Sequence, residues 1–172
     1  IGRFLGRIHA VGALAQFRHR QDIDIDSFGH EPANYVIENG FVPEELEESY
    51  FSTVDEALQR VAACYQRAGG LRSIRLHGDC HAGNILWSEG GPYFVDLDDC
   101  RNGPAVQDIW MLLSGKRAEM EAQLAHVITG YREFHDFDAA ELSLIEALRT
   151  LRMIHYAGWL ARRWDAPAFP VS

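Results

Sequence analysis

Residues 77 to 84 read His77-Gly78-Asp79-Cys80-His81-Ala82-Gly83-Asn84, and a second acidic group, Asp96-Leu97-Asp98-Asp99, begins twelve residues after the asparagine. A carboxylate, an amide five residues later and a further carboxylate across a short apolar stretch are the groups that phosphoryl transfer from a metal nucleotide requires. Asp79, in a loop, can orient an acceptor hydroxyl and take its proton. Oxygen donors from Asn84 and Asp96 form the hard-ligand set that suits Mg²⁺.

A β-hairpin must position these groups. Ile85–Trp87 and Tyr93–Val95 read as strands joined by Ser88-Glu89-Gly90-Gly91-Pro92. A loop centred on Gly90 sets Ile85 opposite Val95, Leu86 opposite Phe94 and Trp87 opposite Tyr93. One step further, Asn84 faces Asp96. Directly opposed residues share a face with β-carbons about 4.5–5.5 Å apart, so this register brings amide and carboxylate together. A slip of one residue would undo the pairing.

The flanking elements are mainly helical. Phe4, Ile8, Val11 and Ala15 share one face of a helix over residues 1–18, with His9 beside that stripe as a packed core residue. Residues 19–33 read as a loop or weak edge strand. Pro43 opens an acidic helix that runs to about Arg67, with Thr53-x-x-Glu56 as a possible restart and Gly69-Gly70 as the stop. Ile74–Leu76 is a strand leading into the motif. Asn102-Gly103-Pro104 turns the chain into a helix over Val106–Leu113, and another spans Lys116–Phe134. The last helix opens on a capping box, Asp138-x-x-Glu141, and presents Leu142, Ile145, Leu148, Leu151 and Ile154 on one face.

The segments His77-Gly78-Asp79-x-His81-x-x-Asn84 and Val95-Asp96-x-Asp98 resemble the aminoglycoside phosphotransferase and choline kinase branch of the protein-kinase-like superfamily. The longer match, Leu76–Trp87, Val95–Asp99 and Arg101–Asp108, is similar to bacterial members of that branch that act as Ser/Thr protein kinases. The resemblance covers the chain as a C-terminal lobe. It implies an α+β fold, mainly helical, with a small antiparallel hairpin carrying the catalytic and metal residues. It also implies ATP and Mg²⁺ as cofactors and a protein or small-molecule hydroxyl as acceptor. By position, Asp79 would be the catalytic base, while Asn84 and Asp96 would hold Mg²⁺ and nucleotide. Asp108 would brace the catalytic loop from a buried helix; a plain acid at a helix N-terminus is its alternative. His77 and His81 would brace the loop, and Asp98, with Asp99, would assist a second metal.

The chain also departs from protein-kinase patterns. Gly78 stands where many protein kinases carry arginine, and about ten residues separate Asp96 from the next helix, too few for a long activation loop. No glycine-rich phosphate loop is present, and the single lysine, Lys116, lies too late to clamp phosphates. The expectation is that the chain is a lobe without its ATP-binding partner lobe.

Composition narrows the class further. A formal charge of −9 disfavours nucleic acid as a partner. No apolar run is long enough for a membrane span. Three cysteines without a CxxC pair point to a reducing compartment, and the cytoplasm is the expected location. Two other readings compete with the protein kinase. In one, His77, Cys80 and His81, with Cys100, hold zinc, or the chain is a pseudokinase scaffold. In the other, the acceptor is choline, homoserine or an aminoglycoside, with Trp110, Tyr156, Trp159 and Trp164 as a cage for a quaternary ammonium.

Overall fold

In the computed structural model, residues 1–165 are described, and they divide into two compact units. The first comprises Ile1–Ile23 and Gly70–Ile145; the second comprises Asp24–Gly69 and the chain from Glu146.

The first unit carries the site. Helix α1 spans Gly2–Gly12 and α5 spans Arg117–Tyr131. The α1 face that packs inward is Gly2, Leu5, Gly6, His9 and Gly12, whereas Ile8, Val11 and Ala15 of the expected stripe are exposed and Phe4 is half-buried. The reason is backbone approach. A β-carbon on Gly2 would lie 2.1 Å from the Val127 carbonyl oxygen, and one on Gly6 would lie 2.5 Å from that of Tyr131. Glycine lets α1 and α5 pack backbone to backbone, and a search for apolar periodicity does not detect glycine.

Strands β1 (Ile74–Leu76) and β4 (Arg101–Gly103) pair antiparallel, with Arg75 opposite Asn102. Asn102 and Gly103, expected in a turn, therefore lie in a strand, and the turn is left to Pro104. Strands β2 (Ile85–Ser88) and β3 (Gly91–Phe94) form the expected hairpin in a shifted register: Ile85 faces Phe94, Leu86 faces Tyr93 and Ser88 faces Gly91. The loop holds two residues, Glu89 and Gly90, because Gly91 at φ 113° turns the chain back early. Pro92 then sits in a strand rather than the loop. The pairing of Asn84 with Asp96 is not formed; the Val95 amide donates to the Asn84 carbonyl at 3.0 Å instead.

Helix α4 is short, Val106–Trp110. The Asp138 side chain caps a 3₁₀ turn over Ala139–Leu144 by accepting from the Ala140 amide at 2.9 Å. Glu141 does not complete the expected capping box. It turns inward and accepts from the Val106 amide at 2.8 Å.

The second unit holds α2 (Glu31–Glu38), α3 (Glu44–Ala68) and most of α6 (Ile145–Arg162). Residues expected to be irregular form a π-turn at Asp26–His30 that leads into α2, with Pro32 in the first turn of that helix. Pro43 precedes α3, which passes Thr53 without a break and ends at Gly69 with φ 73°. On α6, Leu148, Leu151 and Ile154 are buried as expected. Among the described residues, no helix is long and apolar enough to cross a membrane.

Candidate active site

The loop from His77 to Asn84 is shaped by hydrogen bonds that converge on it from buried groups. Asp108, fully buried on α4, accepts from the His77 amide at 2.8 Å through Oδ2 and from the Gly78 amide at 2.9 Å through Oδ1. Its Oδ2 also receives His9 Nε2 at 2.9 Å, and His9 Nδ1 lies 2.9 Å from the Tyr131 hydroxyl. Burial, with Glu141 and Asp108 nearby, pushes the Tyr131 phenol up, so it stays protonated. A carboxylate only accepts, so His9 Nε2 carries a proton and donates it to Asp108. Gln107 adds a bond to the Gly78 carbonyl at 3.3 Å.

Gly78 has φ +85°, and a β-carbon there would lie 2.1 Å from the Asp99 carbonyl oxygen. The loop and the Asp96–Cys100 segment pass too closely for any side chain, which explains why no arginine stands at this position.

Asp79 and Asn84 meet at the loop's open end. The Asn84 amide nitrogen donates to the Asp79 carbonyl at 3.0 Å and lies 3.4 Å from Asp79 Oδ2. His81 Nδ1 accepts from the Gly83 amide at 3.0 Å, which puts the ring proton on Nε2, 3.5 Å from Asp79 Oδ2. The Asp79 carboxylate is thus oriented from two sides, its side chain 17% exposed. The buried His77 ring donates through Nε2 to the Val95 carbonyl at 2.9 Å, tying the loop to the end of β3.

Asp96 directly follows Val95 and is exposed. It has φ 62° and ψ 67°, and among the described residues it is the only non-glycine with positive φ. Strand alternation stops at Phe94, so this left-handed turn, and not the ladder, sets where Asp96 lies. Asp98 is exposed in a 3₁₀ turn over Leu97–Asp99, and Asp99 lies 3.9 Å from Arg101.

The donors fit a cation held jointly with phosphate. Asn84 commits its nitrogen to Asp79, which leaves its amide oxygen as the end that would coordinate, and the exposed Asp96 would add one carboxylate. Mg²⁺ is commonly held by one or two carboxylates plus substrate phosphates, so a full protein cage is unnecessary. Among the described residues, no three His, Cys, Asp or Glu side chains gather as such a cage. The zinc reading fails on the same fact, since His77 faces Val95 and Cys80 is fully buried. Each aromatic residue weighed for a cage has a partner within its own unit. Tyr156 and Trp159 stack on each other at 5.6 Å with planes 10° apart, Trp164 meets Phe41 edge-on, and Trp110 donates to Gln107.

His9 is the packed core residue that its place beside the α1 stripe leads one to expect, whereas Tyr131 carries no signal in the sequence and Glu141 reads there as a helix cap. A polar residue on a glycine-lined helix face was the available signal for His9; nothing local marked the others.

Known proteins share this arrangement of chain. Stress response kinase A of Escherichia coli (strain K12) is 48% identical over 170 residues, covering 99% of this chain and 51% of that protein. Serine/threonine protein kinase RdoA of Salmonella typhimurium is 46% identical over the same length. The chain spans about half the length of the curated relatives it matches. Amicoumacin kinase hAmiN, solved with AMP-PNP, Ca²⁺ and Ami, aligns with a TM-score of 0.59 at 20% identity over 99% of this chain and 52% of its own. Spectinomycin phosphotransferase APH(9)-Ia, solved with ADP and spectinomycin, gives 0.54 at 14% identity over 99% of this chain and 56% of its own. At these identities both show a shared fold alone. The sequence profile of the phosphotransferase enzyme family matches residues 1–145, and the chain belongs to that family.

Proposed function

We propose that this chain is the C-terminal lobe of an ATP- and Mg²⁺-dependent kinase that transfers the γ-phosphoryl group to serine or threonine hydroxyls of protein acceptors in the cytoplasm. A nucleotide-binding lobe in the longer polypeptide completes the site. The observation that carries this reading is the braced pair of Asp79 and Asn84, with the Asn84 amide nitrogen on Asp79 and the loop amides on buried Asp108.

Asp79 orients the acceptor hydroxyl and accepts its proton as the new O–P bond forms and the bond from the γ-phosphorus to the β,γ-bridging oxygen breaks, with ADP leaving. Asn84 and Asp96 would hold the metal through their side-chain oxygens. Bound Mg²⁺ neutralises charge that develops on the phosphoryl oxygens. Asp108 keeps the loop rigid, and His81 keeps Asp79 turned to the acceptor. Asp98, exposed in the 3₁₀ turn that follows Asp96, would serve as a second-metal ligand when two ions bind. The protein-acceptor assignment is supported by the 48% identity to stress response kinase A and by the name of the RdoA relative.

A radiolabelled-phosphate assay of the full-length protein tests this, with peptides, choline and aminoglycosides offered in parallel. Label on Ser/Thr peptides is expected. Label only on choline or an aminoglycoside would replace the acceptor class, and label on none of them would remove the kinase reading.

A further inference from the structure

Asp96 holds a backbone conformation that side-chain-bearing residues rarely adopt, at φ 62°. Such a residue persists only where its surroundings over-determine it. On its N-terminal side the cause is visible: Val95 is fixed through its amide to the Asn84 carbonyl and through its carbonyl to His77. On its C-terminal side the chain is exposed from Asp96 to Asp99, without a strand partner.

What grips that side comes from the segment that follows α1. The Arg20 guanidinium donates through Nη1 to the Asp98 carbonyl and, at 3.2 Å, to the Cys100 carbonyl. Arg20 also lies over the Phe17 ring, 5.9 Å from its centroid. The segment itself is locked to β4 by one side chain. Asn102, 2% exposed, accepts from the Phe17 amide at 2.8 Å and donates to the Phe17 carbonyl at 3.1 Å and to Asp22 Oδ1 at 2.7 Å. Its own carbonyl accepts from the Ile23 amide at 2.8 Å. A buried, fully engaged asparagine at one end and a guanidinium nitrogen bridging two carbonyls at the other make a clasp.

We propose that residues 17–23 form a clasp on the Asp96–Cys100 segment, with Arg20 as the positioning residue that holds Asp96 ready to receive a divalent cation. The clasp stands where an activation loop is missing: the stretch between Asp96 and α4 is too short to brace itself, so a side chain from another part of the unit does it. One guanidinium nitrogen bridges the two carbonyls, while the planar group lies over the Phe17 ring, a contact that a lysine ammonium would make differently. The proposal rests on the reading of Asp96 as a metal ligand, and Arg20 touches neither metal nor substrate.

The test uses the full-length protein and three variants: Arg20→Ala, Arg20→Lys and Asp96→Ala. One arm follows hydrogen exchange of the amides of residues 97–100 in metal-free protein. The other follows Mn²⁺ binding in the presence of AMP-PNP by electron paramagnetic resonance. Arg20→Ala is expected to speed exchange in that segment alone and to weaken Mn²⁺ by about 10- to 100-fold, the usual effect of removing a group that orients a ligand. Arg20→Lys falls between wild type and Arg20→Ala in both arms. Unchanged exchange in Arg20→Ala, or wild-type Mn²⁺ affinity in it while Asp96→Ala loses the ion, overturns the clasp and leaves the metal reading standing. Wild-type Mn²⁺ affinity in Asp96→Ala overturns the metal reading instead. Exchange that rises throughout the protein in Arg20→Ala and Arg20→Lys alike would also overturn the clasp, as general destabilisation.

Discussion

Glu141 accepts a hydrogen bond at 2.8 Å from the backbone amide of Val106, thirty-five positions earlier in the chain. The acid therefore caps the N-terminal end of α4, the helix that carries Asp108, and links the 3₁₀ turn at Ala139–Leu144 to the catalytic loop through two steps of hydrogen bonding. Burial raises its carboxyl from the ordinary 4.5 to about 7, with Asp138 adding to the rise and the amides of Val106 and Ala105 opposing it. The folded protein thus binds a proton that the unfolded chain releases between these two values. Stability from this group is fully present below about pH 4.5 and is lost as pH rises to about 7. The loss is roughly 3 kcal/mol across that window. Urea unfolding at pH 5 and pH 8 checks it: Glu141→Gln should flatten the difference seen in wild type, and an identical pH slope in both proteins would contradict the account.

Asp108 answers three donors at once, His77 N, Gly78 N and His9 Nε2. Asp108→Ala strands them in a dry interior, where each unmet donor costs roughly 1–3 kcal/mol. A loss of at least about 3 kcal/mol is expected by denaturant titration. A loss under about 1 kcal/mol would mean that water enters and replaces the carboxylate.

Gly78→Ala forces a side chain onto a left-handed backbone and against the Asp99 carbonyl. The conformation alone costs roughly 1–3 kcal/mol. Gly70→Ala is the control, because a β-carbon there meets nothing within 4 Å. Thermal unfolding should separate the two, with Gly70→Ala within about 0.5 kcal/mol of wild type.

Asp79→Asn in the full-length protein should lower turnover by roughly 10²- to 10⁴-fold, the usual contribution of general-base catalysis. Steady-state kinetics with a peptide acceptor measures this. Unchanged autophosphorylation in the variant would remove Asp79 from the base role.

Cys80 sits next to Asp79 and is fully buried. Burial pushes its thiol up, and the charges of Asp108 and Asp79 push it further. Reactivity belongs to the thiolate, so Cys80 should resist peroxide and alkylating reagents in the native protein. Mass spectrometry after N-ethylmaleimide treatment should find it unlabelled until denaturant is added; rapid native labelling would contradict this account.

Much of this architecture was legible locally. Pro43 and Gly69 bound α3 because one fixes φ and the other tolerates φ 73°. Ile74–Leu76 and the two arms of the hairpin follow from short apolar runs between turn residues. The hairpin register was not legible, since Gly90 and Gly91 offer two places to turn, and the choice moves every pairing by one residue. The α1 stripe was misread for a related reason: the packed face is glycine, and its partner is the backbone of α5.

The sequence by itself placed the chain in the phosphotransferase enzyme family, and Asp79, Asn84 and Asp96 have the residue types and the spacing that the phosphoryl-transfer proposal rests on. Tertiary structure decided how those groups are held. Asp108 reaches the loop from thirty positions away, His9 and Tyr131 close a chain of bonds across more than a hundred, and Arg20 reaches Asp98 across seventy-eight. Hydrogen bonds between residues so distant leave no periodicity and no local propensity to read. They exist only once two backbones, freed of side chains at Gly2 and Gly6, have packed close enough to bury the polar groups that must then find one another.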